Sequence, residues 1–374
     1  MDQRIIDTVT ALRAELHALA ERSGAEKKTK ARLMEFLRAN TSLSLVDEGQ
    51  WFCAIHKESG VCSPVACETI AFRADMDALP VPSVATDGTR DGAAHLCGHD
   101  GHSAALAGLG LWLAGRKLGR NVVLVFQHAE ETGEGGRICA GALEKYGVAR
   151  VYAFHNIPGW EEGAVLLRRG VFACASRGMT LTLTGAPSHA AYPEYGRNPG
   201  YAAARLISAL PELTRQDRYK GLTMATLIGA DIGGKAFGSA AAHAEVRLTL
   251  RAWREDDMAA LTAAIEETAR AEAARDGVKV AVSFRDIFPA TVNDDGIIDR
   301  LEGVCRRAGL GTIDIPEPLR WSEDFGWYGQ YAKTVLAGIG AGMEWPQLHT
   351  EKYEFNDRIL PAALTFFSSL AESG

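Results

Sequence analysis

The chain has 374 residues, 47% of them apolar and 23% charged, with a net charge of −7. A single core rarely grows beyond roughly 250–300 residues, so two domains are expected, and the composition is that of an ordinary globular protein. The acidic balance argues against a nucleic-acid partner, which needs a basic face, and no apolar run approaches the roughly 18–20 residues of a membrane span.

Residues 1–40 are charged and helical in pattern, without the apolar core of a signal peptide, so a cytoplasmic location is expected. The first helix is expected to run to about Arg22. Ser23 and Glu26 then form a capping-box pattern for a second helix that carries Leu33, Phe36 and Leu37 on one face. Seven cysteines (Cys53, Cys62, Cys67, Cys97, Cys139, Cys174 and Cys305) are scattered without regular spacing. An odd, irregular set is not a disulfide framework, and it suits a reducing compartment. No CxxC pair offers a structural zinc ribbon. From residue 69 strands and helices alternate: strand 69–74, helix 102–114, strand 122–127, helix 136–146 and strand 151–154. Such alternation predicts a parallel α/β sheet. A second unit follows, with strand 179–184, helix 200–213, strands 222–228 and 244–251, helix 255–275 and strand 278–284. Its β-α-β-β-α-β order is the ferredoxin-like arrangement. The stretch 289–374, with a buried strand at 334–339 and a closing helix, is expected to return to the first domain. The division is then 1–176 plus 289–374 for the larger domain, with 177–288 inserted, as surface loops tolerate.

Ligands in open α/β sheets bind beyond the carboxyl ends of the strands. Asp75 and Asp77 follow the first strand of this sheet, His128, Glu130 and Glu131 follow the second, and His155 follows the third. Cys97, His99 and Asp100 fall in the loop before helix 102–114. Thiolate, imidazole and carboxylate together suit zinc, manganese, cobalt or nickel. Of two adjacent glutamates, one can face a metal while the other reaches water. A divalent metal acidifies water, and a carboxylate beside it can take the proton and return it to a leaving amine. This is the pattern of metal-assisted hydrolysis.

The segments FRADMDALP (72–80), HLCGHDGHSA (95–104), VFQHAEETGEGG (125–136), FHNIPGW (154–160), GAPSHAAYPEYGRNP (185–199), SEDF (322–325) and LH (348–349) make the likeness specific. In order and over nearly the whole chain, they resemble the amidohydrolase branch of the aminoacylase/carboxypeptidase-G-like metallopeptidases. That branch includes hippurate, aminobenzoyl-glutamate and auxin-conjugate hydrolases and acetyl-diaminopimelate deacetylases. The resemblance implies a zinc-exopeptidase-like α/β catalytic domain with a mostly parallel sheet, and an inserted ferredoxin-like domain for dimerisation and lid closure. It implies that Cys97, His99, Glu131, His155 and His349 hold two divalent metals, the thiolate shared between them. Glu130 would be the general base and acid. His189, acting across a homodimer, would stabilise the oxyanion, and Asp77 would support the ligands. The implied substrates are small N-acyl-amino acids, or dipeptides if the chain is a dipeptidase or carboxypeptidase.

Two departures bear on specificity. His128 stands where the family usually has proline, and Phe237-Gly238-Ser239 replaces its Asn-Val-Ile-Pro stretch, whereas Arg251 matches the family's arginine. His17, His56, His95, His102, His128 and His243 are read as structural or surface residues. Asp75 is read as support. A non-catalytic binding protein on this scaffold would have no need of Glu130. Residues 229–235 (GADIGGK) have the spacing of a phosphate-binding loop, but Ala236 follows where Ser or Thr is needed, with no clear helix after it. A bend between two strands is the expected role.

Overall fold

A computed structural model describes residues 1–58, 68–81 and 92–373. Cys62 and Cys67 lie outside the described residues. Contacts divide the chain into two units. One comprises 1–172, 291–317 and 324–374, and the other comprises 173–290 and 318–323.

The first unit is built on an eight-stranded sheet. Its order is Ser44–Asp47, Phe52–His56, Asn121–Gln127, Thr69–Asp75, Val148–Ile157, Lys333–Gly340, Val165–Leu167 and Thr312–Asp314. The four central strands are mutually parallel, while Ser44–Asp47 and Phe52–His56 add antiparallel pairs at one edge. Every residue of Thr69–Asp75 is buried, as expected of a parallel strand covered on both faces. Helix His99–Leu113 lies against helices Gln3–Leu19 and Leu360–Ser373. Its small residues permit close approach: a Cβ at Gly101 would stand 2.3 Å from the Phe355 ring. The mixed aromatic core includes Phe52 stacked on Phe126 at 4.5 Å.

The second unit is a four-stranded antiparallel sheet ordered Thr223–Ile232, His243–Ala252, Ala175–Thr184, Lys279–Phe288. Helices Gly200–Leu213 and Glu255–Arg275 pack against it. Alternate residues Leu181, Leu183, Val246, Leu248 and Leu250 are buried, the period-two pattern of a sheet covered on one face. With the strands in chain order, the spatial order 2-3-1-4 is that of the β-α-β-β-α-β motif. Residues 229–232 of the phosphate-loop spacing lie within a strand, which bulges at Leu227/Gly229.

Several boundaries differ from expectation. The first helix ends at Leu19, and the capping box does not form. Instead Glu21 Oε2 accepts the Lys28 and Thr29 amides at 2.7 and 2.9 Å, and Ser23 Oγ donates to Asp77 Oδ2 at 2.6 Å. Helix 99–113 begins three residues earlier than the apolar pattern, so His99 and Asp100 open it rather than precede it. Gly98, at φ +98°, makes the entry. Strand Val148–Ile157 runs beyond Phe154, so His155 is inside it. The expected helix 136–146 is two short helices, Gly135–Cys139 and Gly141–Lys145. Among the described residues no helix is long and apolar enough to cross a membrane, and Cys53, Cys97, Cys139, Cys174 and Cys305 are free thiols.

Candidate metal centre

The carboxyl ends of the parallel strands bring the first unit's candidate residues together. Cys97 Sγ is 3.5 Å from His155 Nε2 and 3.3 Å from His349 Nε2. His99 Nε2 is 3.8 Å from both Glu130 Oε2 and Glu131 Oε1, and Glu131 Oε1 is 3.8 Å from His349 Nε2. Donor atoms of Cys97, His99 and His155 lie within 4.8 Å of one another, as do those of Cys97, Glu131 and His349. Cys97 belongs to both groups.

The imidazoles are oriented from behind. His99 Nδ1 faces the Asp77 carbonyl at 3.0 Å and its carboxylate at 3.3 Å. His155 Nδ1 faces the Asn156 carbonyl at 2.8 Å. Both contacts fix the proton on Nδ1 and turn the Nε2 lone pair inward, the usual support of a metal-ligating histidine. His99 Nε2 and Glu131 Oε1 are buried with no hydrogen-bond partner. Such orphaned polar atoms are costly and need an occupant. Their position beside a thiol and two further imidazoles fits a divalent cation.

The electrostatics agree. Burial, aided by Glu131, pushes the Cys97 thiol well up. Burial, with Asp77 and Asp75 adding, pushes Glu131 up to about 7. Burial also lowers His155 and His349. In every case removal from water disfavours the charged form, leaving the imidazoles neutral and the anionic donors in need of a positive partner. His99 is the exception: burial opposes its charge, but Asp75 and Cys97 outweigh it and raise its pKa.

Glu130 is 5% exposed, and its Oε1 accepts the Asp324 amide at 3.2 Å. The loop that carries it is tightly held. Ala129 adopts φ +50°, Glu131 N donates to Asp77 Oδ2 at 3.0 Å, and Gly135 N donates to Ala129 O at 3.1 Å. His349, at φ +62°, is anchored by its own amide on the Leu96 carbonyl at 2.8 Å. Left-handed backbone on residues with a Cβ clusters at functional sites.

His189 lies in the second unit, exposed, with its Nδ1 accepting the Ala191 amide at 3.1 Å. Arg251, in the same unit, donates to Ser322 Oγ at 2.8 Å. His17 bonds Asp100 at 2.8 Å, and His128 is buried 3.7 Å from Cys139 Sγ.

Beneath the donors lies a buried polar layer in which Asp75 has the supporting place and His102 the structural one expected of them, joined by Arg73, Gln127, Asn156 and Asp324, to which the sequence reading gave no role. His102 is buried between Asp75 Oδ1 at 2.7 Å and Asn156 Oδ1 at 2.6 Å, and Asn156 bonds Tyr353. Arg73 bridges Asp75 at 2.6 Å, Asp324 at 2.7 Å and Gln127 at 2.8 Å. Asp324 also accepts the Gly136 amide at 2.6 Å. For Arg73 a signal was available: a charged residue inside a mostly apolar, buried strand needs a buried partner.

Comparisons with known proteins agree with this architecture. The sequence model of Peptidase family M20/M25/M40 matches residues 71–373. An uncharacterized hydrolase of Staphylococcus aureus (strain bovine RF122 / ET3-1) is 30% identical over 386 residues, covering 98% of this chain and 97% of that protein. A dinuclear metal binding peptidase from the M20 family, of Bacillus subtilis, superposes with a TM-score of 0.81 at 23% identity, covering 99% and 98% of the two chains. The aminobenzoyl-glutamate utilization protein from Klebsiella pneumoniae gives 0.75 at 19%, covering 99% and 97%. At these identities the two structures speak for the fold, whereas the family match and the full-length relative speak for descent. The chain belongs to peptidase family M20/M25/M40 and is a metal-dependent hydrolase acting on amide bonds.

Proposed function

We propose that the chain cleaves the amide bond of small N-acyl-amino acids, with Glu130 as the proton carrier. The observation that carries this reading is the pair of orphaned buried atoms, His99 Nε2 and Glu131 Oε1, lying beside a second carboxylate that is held separately by the Asp324 amide. Cys97, His99, Glu131, His155 and His349 would hold two divalent ions, Cys97 being common to both; zinc, manganese, cobalt and nickel all suit these donors. Such ions, when bound, acidify water and polarise the acyl carbonyl. Glu130 takes the proton of the attacking water at Oε2 and delivers it to the departing amine nitrogen. The Asp324 amide on Oε1 keeps the carboxylate in place throughout. Asp77 keeps the His99 proton on Nδ1.

His189 is assigned to the oxyanion, reaching the site of a neighbouring copy. Support comes from the exposed apolar residues of its own unit: Leu227, Ile228 and Ile232 on the edge strand, and Phe237. A second copy pairing there would cover them. Mixing Glu130→Gln chains with His189→Ala chains should restore part of the activity that each lacks alone. No recovery in confirmed mixed dimers would sink the sharing.

The Klebsiella pneumoniae neighbour is named an aminobenzoyl-glutamate utilization protein, and aminobenzoyl-glutamate is an N-acyl-amino acid; the Bacillus subtilis neighbour is named a peptidase, so dipeptides form the second substrate class. The test is elemental analysis of the purified protein together with amine release from acetyl-, benzoyl- and aminobenzoyl-amino acids and from dipeptides, before and after chelation. About two metals per chain, with chelator-sensitive release from N-acyl-amino acids and loss of turnover in Glu130→Gln, is the expected result. Turnover of dipeptides alone would move the chain to the second class. Absence of metal after reconstitution under reducing conditions would remove the donor set and the mechanism together.

A further inference from the structure

Glu26 is 3% exposed at the start of helix Lys27–Asn40, yet its carboxylate makes no bond to that helix. Glu21 caps the helix instead, through the Lys28 and Thr29 amides. The Glu26 carboxylate is directed elsewhere. Its Oε1 accepts the amide of Ala129, 103 residues away, at 2.8 Å, and that of Gly24 at 2.9 Å. Burying a carboxylate is expensive, so a residue that does so without serving its own helix needs another reason.

The reason lies in Ala129. Its φ of +50° is a conformation that a residue with a Cβ holds only when its surroundings impose it. It is also the residue before Glu130. We propose that Glu26 is a positioning residue: by holding the Ala129 amide it fixes the left-handed turn that aims the Glu130 carboxylate. The peptide after Glu130 is held from the other side, by Asp77 on the Glu131 amide at 3.0 Å. Gly135 closes the loop on the Ala129 carbonyl at 3.1 Å, where a Cβ would come 1.6 Å from the His128 oxygen. With Glu26 removed, the Ala129 amide loses its acceptor, and the turn can relax toward ordinary backbone. Misplacement of a catalytic group by about 1 Å can cost on the order of 10²-fold in rate. Glu26 also contributes to the lining of a cavity of about 290 Å³, with Lys27, Lys30 and Met34.

The inference rests on the reading of Glu130 as the proton carrier, and its test separates the two. Glu26→Gln, Glu26→Asp and Glu26→Ala are made in the full chain, with Glu130→Gln as control. Amide hydrogen exchange over residues 127–136 is measured beside kcat and KM. Glutamine retains an oxygen that can accept both amides. Aspartate keeps the charge but falls one methylene short, and alanine has no acceptor. The expected pattern is exchange and kcat near wild type for Gln. For Asp and Ala the expected pattern is faster exchange and a kcat lower by about 10- to 100-fold, with KM within about threefold. Equal exchange in all variants, full kcat in Glu26→Ala, or loss in Gln as large as in Ala would overturn the proposal. Turnover surviving in Glu130→Gln would overturn the proton-carrier reading instead, while the exchange pattern would still decide whether Glu26 clamps the turn.

Discussion

At the residue scale, the chemistry depends on side chains whose ordinary charge is opposed by burial. Glu26 shows the consequence for stability. Burial, reinforced by Asp77, pushes its pKa from 4.5 to about 7. A carboxylate raised in the fold gives a contribution that is complete below about pH 4.5 and disappears as pH rises through about 7, because the unfolded chain then ionises more readily. Glutamine cannot ionise. Glu26→Gln should therefore equal wild type near pH 4.5 and exceed it at pH 8, by on the order of 2 kcal/mol. Denaturant titrations in chelator at the two pH values check this; an advantage at the acid end would reverse the sign. The Arg73–Asp324 pair behaves differently. Both partners are at most 2% exposed, and removing one partner of a buried pair leaves an uncompensated charge at a cost of about 3–5 kcal/mol. Arg73→Met should lower stability by that order, and because Asp324 offers its amide to Glu130 it should depress kcat as well. A variant with wild-type melting and turnover would contradict the role of the pair.

At the element scale, helix His99–Leu113 performs two tasks. Its first turn carries His99 to the rim, and its small-residue face lets neighbouring elements approach the donors from behind. Intrinsic propensity favours alanine over glycine in a helix by about 1 kcal/mol. At Gly101 that gain meets the Phe355 ring at 2.3 Å, and overpacking costs about 1–3 kcal/mol. Gly101→Ala should therefore be net destabilising and weaken metal retention, read by melting and by metal content after dialysis. A more stable variant with full metal content would show that Phe355 can move aside. The helix also shows what patterning missed. Apolar residues set the expected start at His102, yet the helix opens at His99. The positive φ of Gly98 makes the turn, and the first turn is polar because His99 faces the site while Asp100 is buried against Arg13 and His17.

At the scale of the whole molecule, each unit has its own sheet and buried residues, and the proposed metal donors all belong to the first. Bound metal stabilises only what it binds. In calorimetry, chelation should lower the transition of the first unit by several degrees and leave that of the second in place, with zinc or manganese restoring it. Equal displacement of both would mean that the units unfold as one.

The alternation of the central strands and helices from residue 69 could be read directly, because hydrophobic period depends on near neighbours in sequence, whereas the short outer strands Ser44–Asp47, Phe52–His56, Val165–Leu167 and Thr312–Asp314 and the helix Asp295–Arg307 were not read. The gathering of Asp75, Asp77, Cys97, His99, Asp100, His128, Glu130, Glu131 and His155 toward one rim could also be read, since parallel sheets collect such residues there, while the resemblance chose the metal donors among them. His349 stood in an unremarkable loop, and resemblance alone assigned it. Only the tertiary structure showed that Glu26 serves Ala129 rather than its own helix, that His102 lies buried between Asp75 and Asn156, and that Asp324 steadies Glu130. The physical reason is common to all three: each is a buried polar residue whose partner is distant along the chain. Local sequence can show that burying such a group requires a partner, but only the packed fold determines which residue that partner is.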